Sequence, residues 1–188
     1  MTRHETFVQP TEPICHRLFF GLLPPQDVVD RIDALTDGLG PAKTRVRSGH
    51  LHITASIFDD LPFLPPRLQE VATAAIASIQ APPMQLAFDR IVANGRTACL
   101  VQSEVPPALK AFQRQLAAAL ERAQLPLRRG WKFHPHITLL YDPQEAHSAQ
   151  IVPISWKAEE FVLIHSLVGL TQHVVLDRWP LIEQPRLL

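Results

Sequence analysis

His50-Leu51-His52-Ile53-Thr54 and His134-Pro135-His136-Ile137-Thr138 are two copies of one pattern, His-x-His-Ile-Thr, within a chain of 188 residues. Each copy runs into an apolar segment, Ala55-Ser56-Ile57-Phe58 after the first and Leu139-Leu140-Tyr141 after the second. Short apolar runs of this kind read as strands. Side chains then alternate, so His52 and Thr54 share one face while Ile53 turns inward, and His136 and Thr138 do the same around Ile137. Set side by side, the two strands would furnish one cleft with two imidazoles and two hydroxyls. Imidazole populates both its acid and its base form near neutrality, and hydroxyls donate to developing oxyanions. That set outlines a phosphoester-cleaving site. A single His-x-Thr is more often a satisfied core histidine; the repeat in matching contexts reverses that reading.

The rest of the chain supplies the frame. Arg17 to Leu23 reads as a buried strand, and Pro25 opens a helix with Val28, Ile32, Leu35 and Leu39 on one face, stopped by Gly38 and Gly40-Pro41. Pro65-Pro66 opens a second helix with a stripe of Leu68, Val71, Ala75, Ile76 and Ile79, ended by Pro82-Pro83. Met84 to Val92 and Ala98 to Gln102 form a hairpin turned at Asn94-Gly95. Pro106-Pro107 starts a third helix with Leu109, Phe112, Leu116 and Leu120, and after the second motif strand come Ile151 to Trp156, Phe161 to Leu167 and His173 to Trp179. The order β-α-β-α-β-β-α-β-β-β-β is that of an α+β fold, and the parallel between the halves suggests two related lobes. Residues 1–188 are expected to be one domain of two lobes, with the core at about 15–181 and a loose tail at 1–14.

Composition narrows the function classes. Lys+Arg and Asp+Glu are equal at 18 each, so no global field draws in a long polyanion, and any nucleic acid must be held by a local site. Cys15 and Cys99 match no metal or redox spacing and read as buried free thiols of a reducing compartment. Met1 to Thr6 lacks the apolar stretch of a signal peptide, and no run is long enough to span a membrane, so the expected location is the cytoplasm.

His52-Ile53-Thr54-Ala55 and His136-Ile137-Thr138-Leu139 match the paired His-x-Thr-x motifs of the two-histidine phosphoesterase superfamily. The chain most resembles its bacterial RNA 2',3'-cyclic phosphodiesterase, or 2'-5' RNA ligase, branch. Arg17-Leu18-Phe19-Phe20-Gly21, Phe133-His134-Pro135-His136, Glu160-Phe161-Val162-Leu163 and Arg178-Trp179-Pro180-Leu181 extend the match over most of the chain. The resemblance implies a bilobal, pseudo-symmetric fold of two mainly antiparallel sheets flanked by helices around a central cleft. It implies hydrolysis of 2',3'-cyclic phosphate ends of RNA or nucleotides to a 2'-phosphate, with no metal and no cofactor. A 5'-hydroxyl in place of water would instead form a 2'-5' linkage without ATP, a reversible ligation. Carried over, His136 is the base, His52 the acid, and Thr54 and Thr138 bind phosphate oxygens. Two other readings stay open: a cyclic phosphodiesterase for a small nucleotide such as a cyclic phosphate of ADP-ribose, and a non-catalytic module that binds RNA ends. No membrane and no obligate protein partner are implied.

One position departs from the family. Relatives commonly carry an arginine five residues after the second histidine, where this chain has Tyr141. Lys132, Arg128 or Arg129 would have to supply the charge. The basic loop Arg128-Arg129-Gly130-Trp131-Lys132 is either solvated or a contact for a phosphate backbone, with Trp131 stacking on a base. His165 is either a hydrogen-bonded core residue or a cleft residue. Lys132, Trp131, Arg129, Tyr141 and His165 are therefore the candidate substrate contacts. His50 and His134 would permit a four-histidine zinc site, but no carboxylate or cysteine stands at ligand spacing, and a metal is not expected. His4, His16, His147 and His173 read as surface or loop positions.

Overall fold

The computed structural model describes residues 12–183; His4 and most of the expected tail lie outside them. Nine strands and three helices alternate along these residues: β1 (Cys15–Leu22), α1 (Gln26–Asp37), β2 (Ala42–Arg45), β3 (Ile53–Ile57), α2 (Leu68–Ile76), β4 (Met84–Ala93), β5 (Thr97–Val101), α3 (Pro107–Arg122), β6 (His136–Pro143), β7 (His147–Ala158), β8 (Glu160–Val168) and β9 (Gln172–Pro180). They build two sheets, ordered β3-β1-β8-β9 and β2-β6-β5-β4-β7. Every strand pair is antiparallel. The fold is α+β, with one histidine motif on each sheet.

Alternation along the strands sorts the core from the cleft. In β1, Leu18, Phe20 and Leu22 are fully buried in the main core, while Phe19 joins a separate small cluster with Val162 and Ile164 of β8. The main core runs without a break from β1 and β3 through α3 to β4, β5 and β6. Leu109, Phe112, Leu116 and Leu120 of α3 are all buried, as their spacing predicts, and each contributes roughly 1.5–3 kcal/mol. The helix ends in a Schellman turn: Gln124 takes φ 54°, Leu125 N–H donates to Leu120 C=O at 3.2 Å, and Gln124 N–H donates to Glu121 C=O at 2.9 Å. That turn starts the basic loop, which Arg128 N–H then stitches to Ile57 C=O at 3.0 Å.

Three details differ from the sequence reading. Strand β2 was not foreseen; Ala42-Lys43-Thr44-Arg45 has no apolar alternation because it is an exposed edge, paired only with β6. The buried face of α2 is Leu68, Ala72 and Ile76, whereas Val71 is exposed, so the stripe is turned by one residue. Cys99 is buried but Cys15 only half-buried, and both are free thiols. No helix among the described residues is long and apolar enough to cross a membrane.

Candidate active site

The two motifs are held by the same local device. His52 directly precedes β3 and His136 opens β6, and in each the ring Nδ1 lies 2.6 Å from the carbonyl oxygen two residues back, that of His50 and of His134. A carbonyl only accepts, so each Nδ1 carries the proton and each Nε2 is left free to give or take one. Both rings line one cleft of about 330 Å³, together with Thr54, Thr138, Arg17, Phe19, Trp131, Lys132, His134, Tyr141, Ser166 and His173. Cys99 Sγ donates to Thr138 Oγ1 at 3.9 Å, which leaves the threonine proton for the cleft. A smaller adjoining pocket of about 150 Å³ shares His52, Thr138, Tyr141 and His173 and adds Thr44, Arg45, Val46, Arg47, His50 and Thr171. No Asp or Glu lines either cavity. In a chain with equal numbers of acids and bases, this is a locally cationic hollow suited to an anion.

The seat of His52 depends on Gly21. A bulge between Phe20 and Gly21 shifts the β1–β3 register, and a Cβ at Gly21 would sit 2.8 Å from the Ile53 carbonyl oxygen. The two backbones touch here, next to His52. Phe19 lies 4.5 Å from the His52 ring, and His173 of β9 meets it edge-on at 5.4 Å while stacking on His50 at 4.2 Å. Packed in this way, His52 is pushed down to about 4, chiefly by burial and further by charge on His136 and His50, against the opposing effect of its carbonyl bond. His173 is likewise pushed down to about 4, by burial first and then by His52, His50 and Arg17. Both rings are therefore neutral near pH 7 in the free protein. His173 stacks on His50 and meets His52 edge-on, and among the described residues no group of three or more His, Cys, Asp or Glu side chains is placed to hold a metal ion.

Of the foreseen contacts, Lys132, Trp131 and Tyr141 line the cleft. Burial raises the Tyr141 hydroxyl above its ordinary range, so it is a donor. Arg129 is exposed and lines neither cavity. His165 does not reach the cleft either. It faces the core side of β8 and bonds His16 Nδ1 through Nε2 at 2.8 Å, so His16 is a strand residue with a partner, not a surface one. The cleft position on β8 is the next residue, Ser166. Beside Phe19 and Ser166, two charged or titratable cleft residues escaped the sequence reading: His173, taken for a surface histidine, and Arg17, quoted only as part of a strand.

Arg17 brings a guanidinium to the wall of the cleft that Tyr141 also lines. Its guanidinium grips Asp60 with two bonds, Nε to Oδ1 at 2.6 Å and Nη2 to Oδ2 at 2.8 Å, and Arg128 bonds the same carboxylate. One carboxylate between two guanidiniums leaves a net positive charge at the cleft wall. The Arg17 bond, then its charge and that of Arg128, hold Asp60 below its ordinary value of 3.8. A depressed carboxylate stabilises the fold above that value and ceases to do so as pH falls through the folded-state value. Asp60→Asn is therefore expected to lose less stability than the wild type on acidification below about pH 4, read from urea midpoints across the acid range; parallel curves would contradict this.

A family model described as "2'-5' RNA ligase superfamily" matches residues 24–169. The chain belongs to the 2'-5' RNA ligase superfamily. Among solved structures it is similar to E. coli LigT complexed with 3'-AMP, at 25% identity over 90% of this chain and 99% of that one, with a TM-score of 0.76. The LigT structure complexed with NADP+ gives 26% identity, 92% and 100% coverage and a TM-score of 0.74. A Thermus thermophilus protein at 18% identity shares the fold, with a TM-score of 0.67. No curated protein matches the sequence. The superfamily match and the LigT-like architecture agree with the two-sheet frame and with a phosphoesterase ancestry.

Proposed function

We propose that the chain is a phosphodiesterase that opens 2',3'-cyclic phosphate ends of RNA or nucleotides to 2'-phosphates. The observation that carries the reading is the matched pair of imidazoles, each fixed through Nδ1 and each offering Nε2 to one acid-free cleft. LigT, the relative solved with 3'-AMP, ATP and NADP+, supports a nucleotide ligand for such a cleft.

The reaction needs one proton removed and one delivered. His136 Nε2 takes a proton from water as the water oxygen bonds to phosphorus. The phosphorus–3'-oxygen bond breaks, and His52 Nε2 gives that oxygen its proton. Thr54 and Thr138 donate to the non-bridging oxygens as charge gathers there, and Lys132 and Arg17 add cationic support. His52 must first be protonated, which its burial disfavours; the negative charge of the bound phosphodiester offsets this by favouring the imidazolium. Substrate binding near neutral pH is thus coupled to proton uptake. A 5'-hydroxyl replacing water would join two ends by the same proton transfers.

A panel tests the reading: a nucleoside 2',3'-cyclic phosphate, a cyclic-phosphate-ended oligonucleotide and a cyclic phosphate of ADP-ribose. Turnover of the first two supports it, turnover of only the third favours the small-nucleotide alternative, and binding without turnover makes the chain an RNA-end binder. Because both proton transfers and the charge stabilisation are assigned to side chains, activity is expected to survive exhaustive chelation. A loss restored by added zinc would contradict that assignment.

A further inference from the structure

We propose that the pocket beside the two-histidine cleft is a subsite for a second phosphate, the one on the 5' side of the reacting nucleoside. The inference rests on the reading of the cleft as a cyclic-phosphate site. The pocket opens from the cleft across His52, Thr138, Tyr141 and His173, so a ligand filling both is continuous past the reacting phosphorus. Its volume of about 150 Å³ is modest, and Thr44, Thr171 and Tyr141 line it with two arginines.

The two arginines differ in what holds them. Arg45 is tied to α1 by bonds to Asp37 and to Asp33, the latter to both its carboxylate (3.1 Å) and its carbonyl (3.0 Å). Arg47 makes no ion pair among the described residues, and its guanidinium reaches only the Thr171 carbonyl at 3.4 Å. A planar guanidinium with most of its donors free, in a hollow without carboxylates, suits a phosphate. The loop also presents Arg47 in a fixed place. Arg45 on one side and Ser48 on the other both bond Asp33, the serine at 2.5 Å. The Arg47 carbonyl accepts from His50 N–H at 2.8 Å, and the His50 carbonyl in turn holds His52. The segment that orients the catalytic candidate His52 therefore orients Arg47 too. Across the pocket, Thr171 takes φ 53°, a left-handed conformation unusual for a β-branched residue. Such strain gathers at ligand sites, and here it falls on a residue that lines the pocket.

The second phosphate can be a 5'-monoester or the internucleotide diester of an RNA end, and the test separates the two. Wild type and Arg47→Ala are compared on adenosine 2',3'-cyclic phosphate, on its 5'-phosphorylated form, and on an adenylyl-adenosine ending in the cyclic phosphate. Wild type is expected to favour at least one two-phosphate substrate by about tenfold in kcat/KM, as a charge-assisted bond supplies. Arg47→Ala should lower that substrate about tenfold more than the single-phosphate one, and Arg47→Lys should recover part of the difference. Preference for the 5'-phosphorylated form alone assigns a monoester; preference for the dinucleotide alone assigns an RNA end. No preference in the wild type, or an equal fall on all three in Arg47→Ala, overturns the subsite. Calorimetry of adenosine 3',5'-bisphosphate against 3'-AMP reads the same pocket without turnover. Tighter binding of the bisphosphate that disappears in Arg47→Ala keeps the subsite even if no substrate is hydrolysed, an outcome that would sink only the proposed reaction; equal binding overturns the subsite.

Discussion

His52→Ala and His136→Ala are each expected to lose about 10²–10⁴-fold in kcat on a natural 2',3'-cyclic phosphate, because each removes one proton transfer. The two losses should part when the leaving group is changed. An alkoxide is a very poor leaving group and needs a proton, whereas an activated phenolate departs without one. His52→Ala should therefore recover most of its loss on the phenolate substrate, while His136→Ala should not, since water still needs a base. The burial of His52 gives a second handle. As the acid it must be charged, so in His136→Ala, where the base no longer titrates, the residual kcat/KM should fall as pH rises above the free value of His52, about 4. The corresponding limb of kcat should lie at higher pH, because the bound anion favours the imidazolium. A residual rate in His136→Ala that instead rises through about pH 4 and then stays flat, with rescue of that variant by the phenolate, would exchange the two roles.

Gly21→Ala should damage both stability and turnover, although Gly21 lies outside the motifs. The added Cβ would meet the Ile53 carbonyl oxygen at 2.8 Å, and that atom is backbone, which cannot swing aside as a side chain would. Strand β3 must move away from β1, taking His52 and Thr54 with it. Overpacking of this kind costs about 1–3 kcal/mol, and a displacement on the order of 1 Å at a reacting group costs about 10²-fold in rate. Urea unfolding and kcat measured on the same preparation check both. A variant as stable and as active as the wild type would show that the β1–β3 contact does not seat His52.

The frame and the two motifs were legible because their signals are local. Proline and glycine punctuate the helices, Asn94-Gly95 turns the hairpin, and the repeated pentapeptide carries its own strand parity. What failed was non-local. Phe161-Val162-Leu163-Ile164-His165-Ser166 is apolar on both faces, since β8 packs a core on one side and Phe19 on the other. Nothing in that run tells whether His165 or Ser166 turns to the cleft. His173 looked like a surface residue because β9 has polar neighbours, and only the β8–β9 register brings it across to His52. Arg17 sits four residues before Gly21 on a strand that reads as core throughout; its parity shows once Phe19 is seen against His52. Arg129 and Lys132 are equally basic in sequence, and the loop path alone decides that Lys132 enters.

The position of the phosphate after turnover tests the central claim most directly. If His52 protonates the 3'-oxygen of a 2',3'-cyclic phosphate, the product is a 2'-phosphomonoester and nothing else, which phosphorus NMR distinguishes from the 3' isomer. The account predicts complete conversion to the 2'-phosphate, slowed about 10²–10⁴-fold in both His52→Ala and His136→Ala. A 3'-phosphate, a mixture of the two, or turnover at a near-wild-type rate in both variants would contradict it.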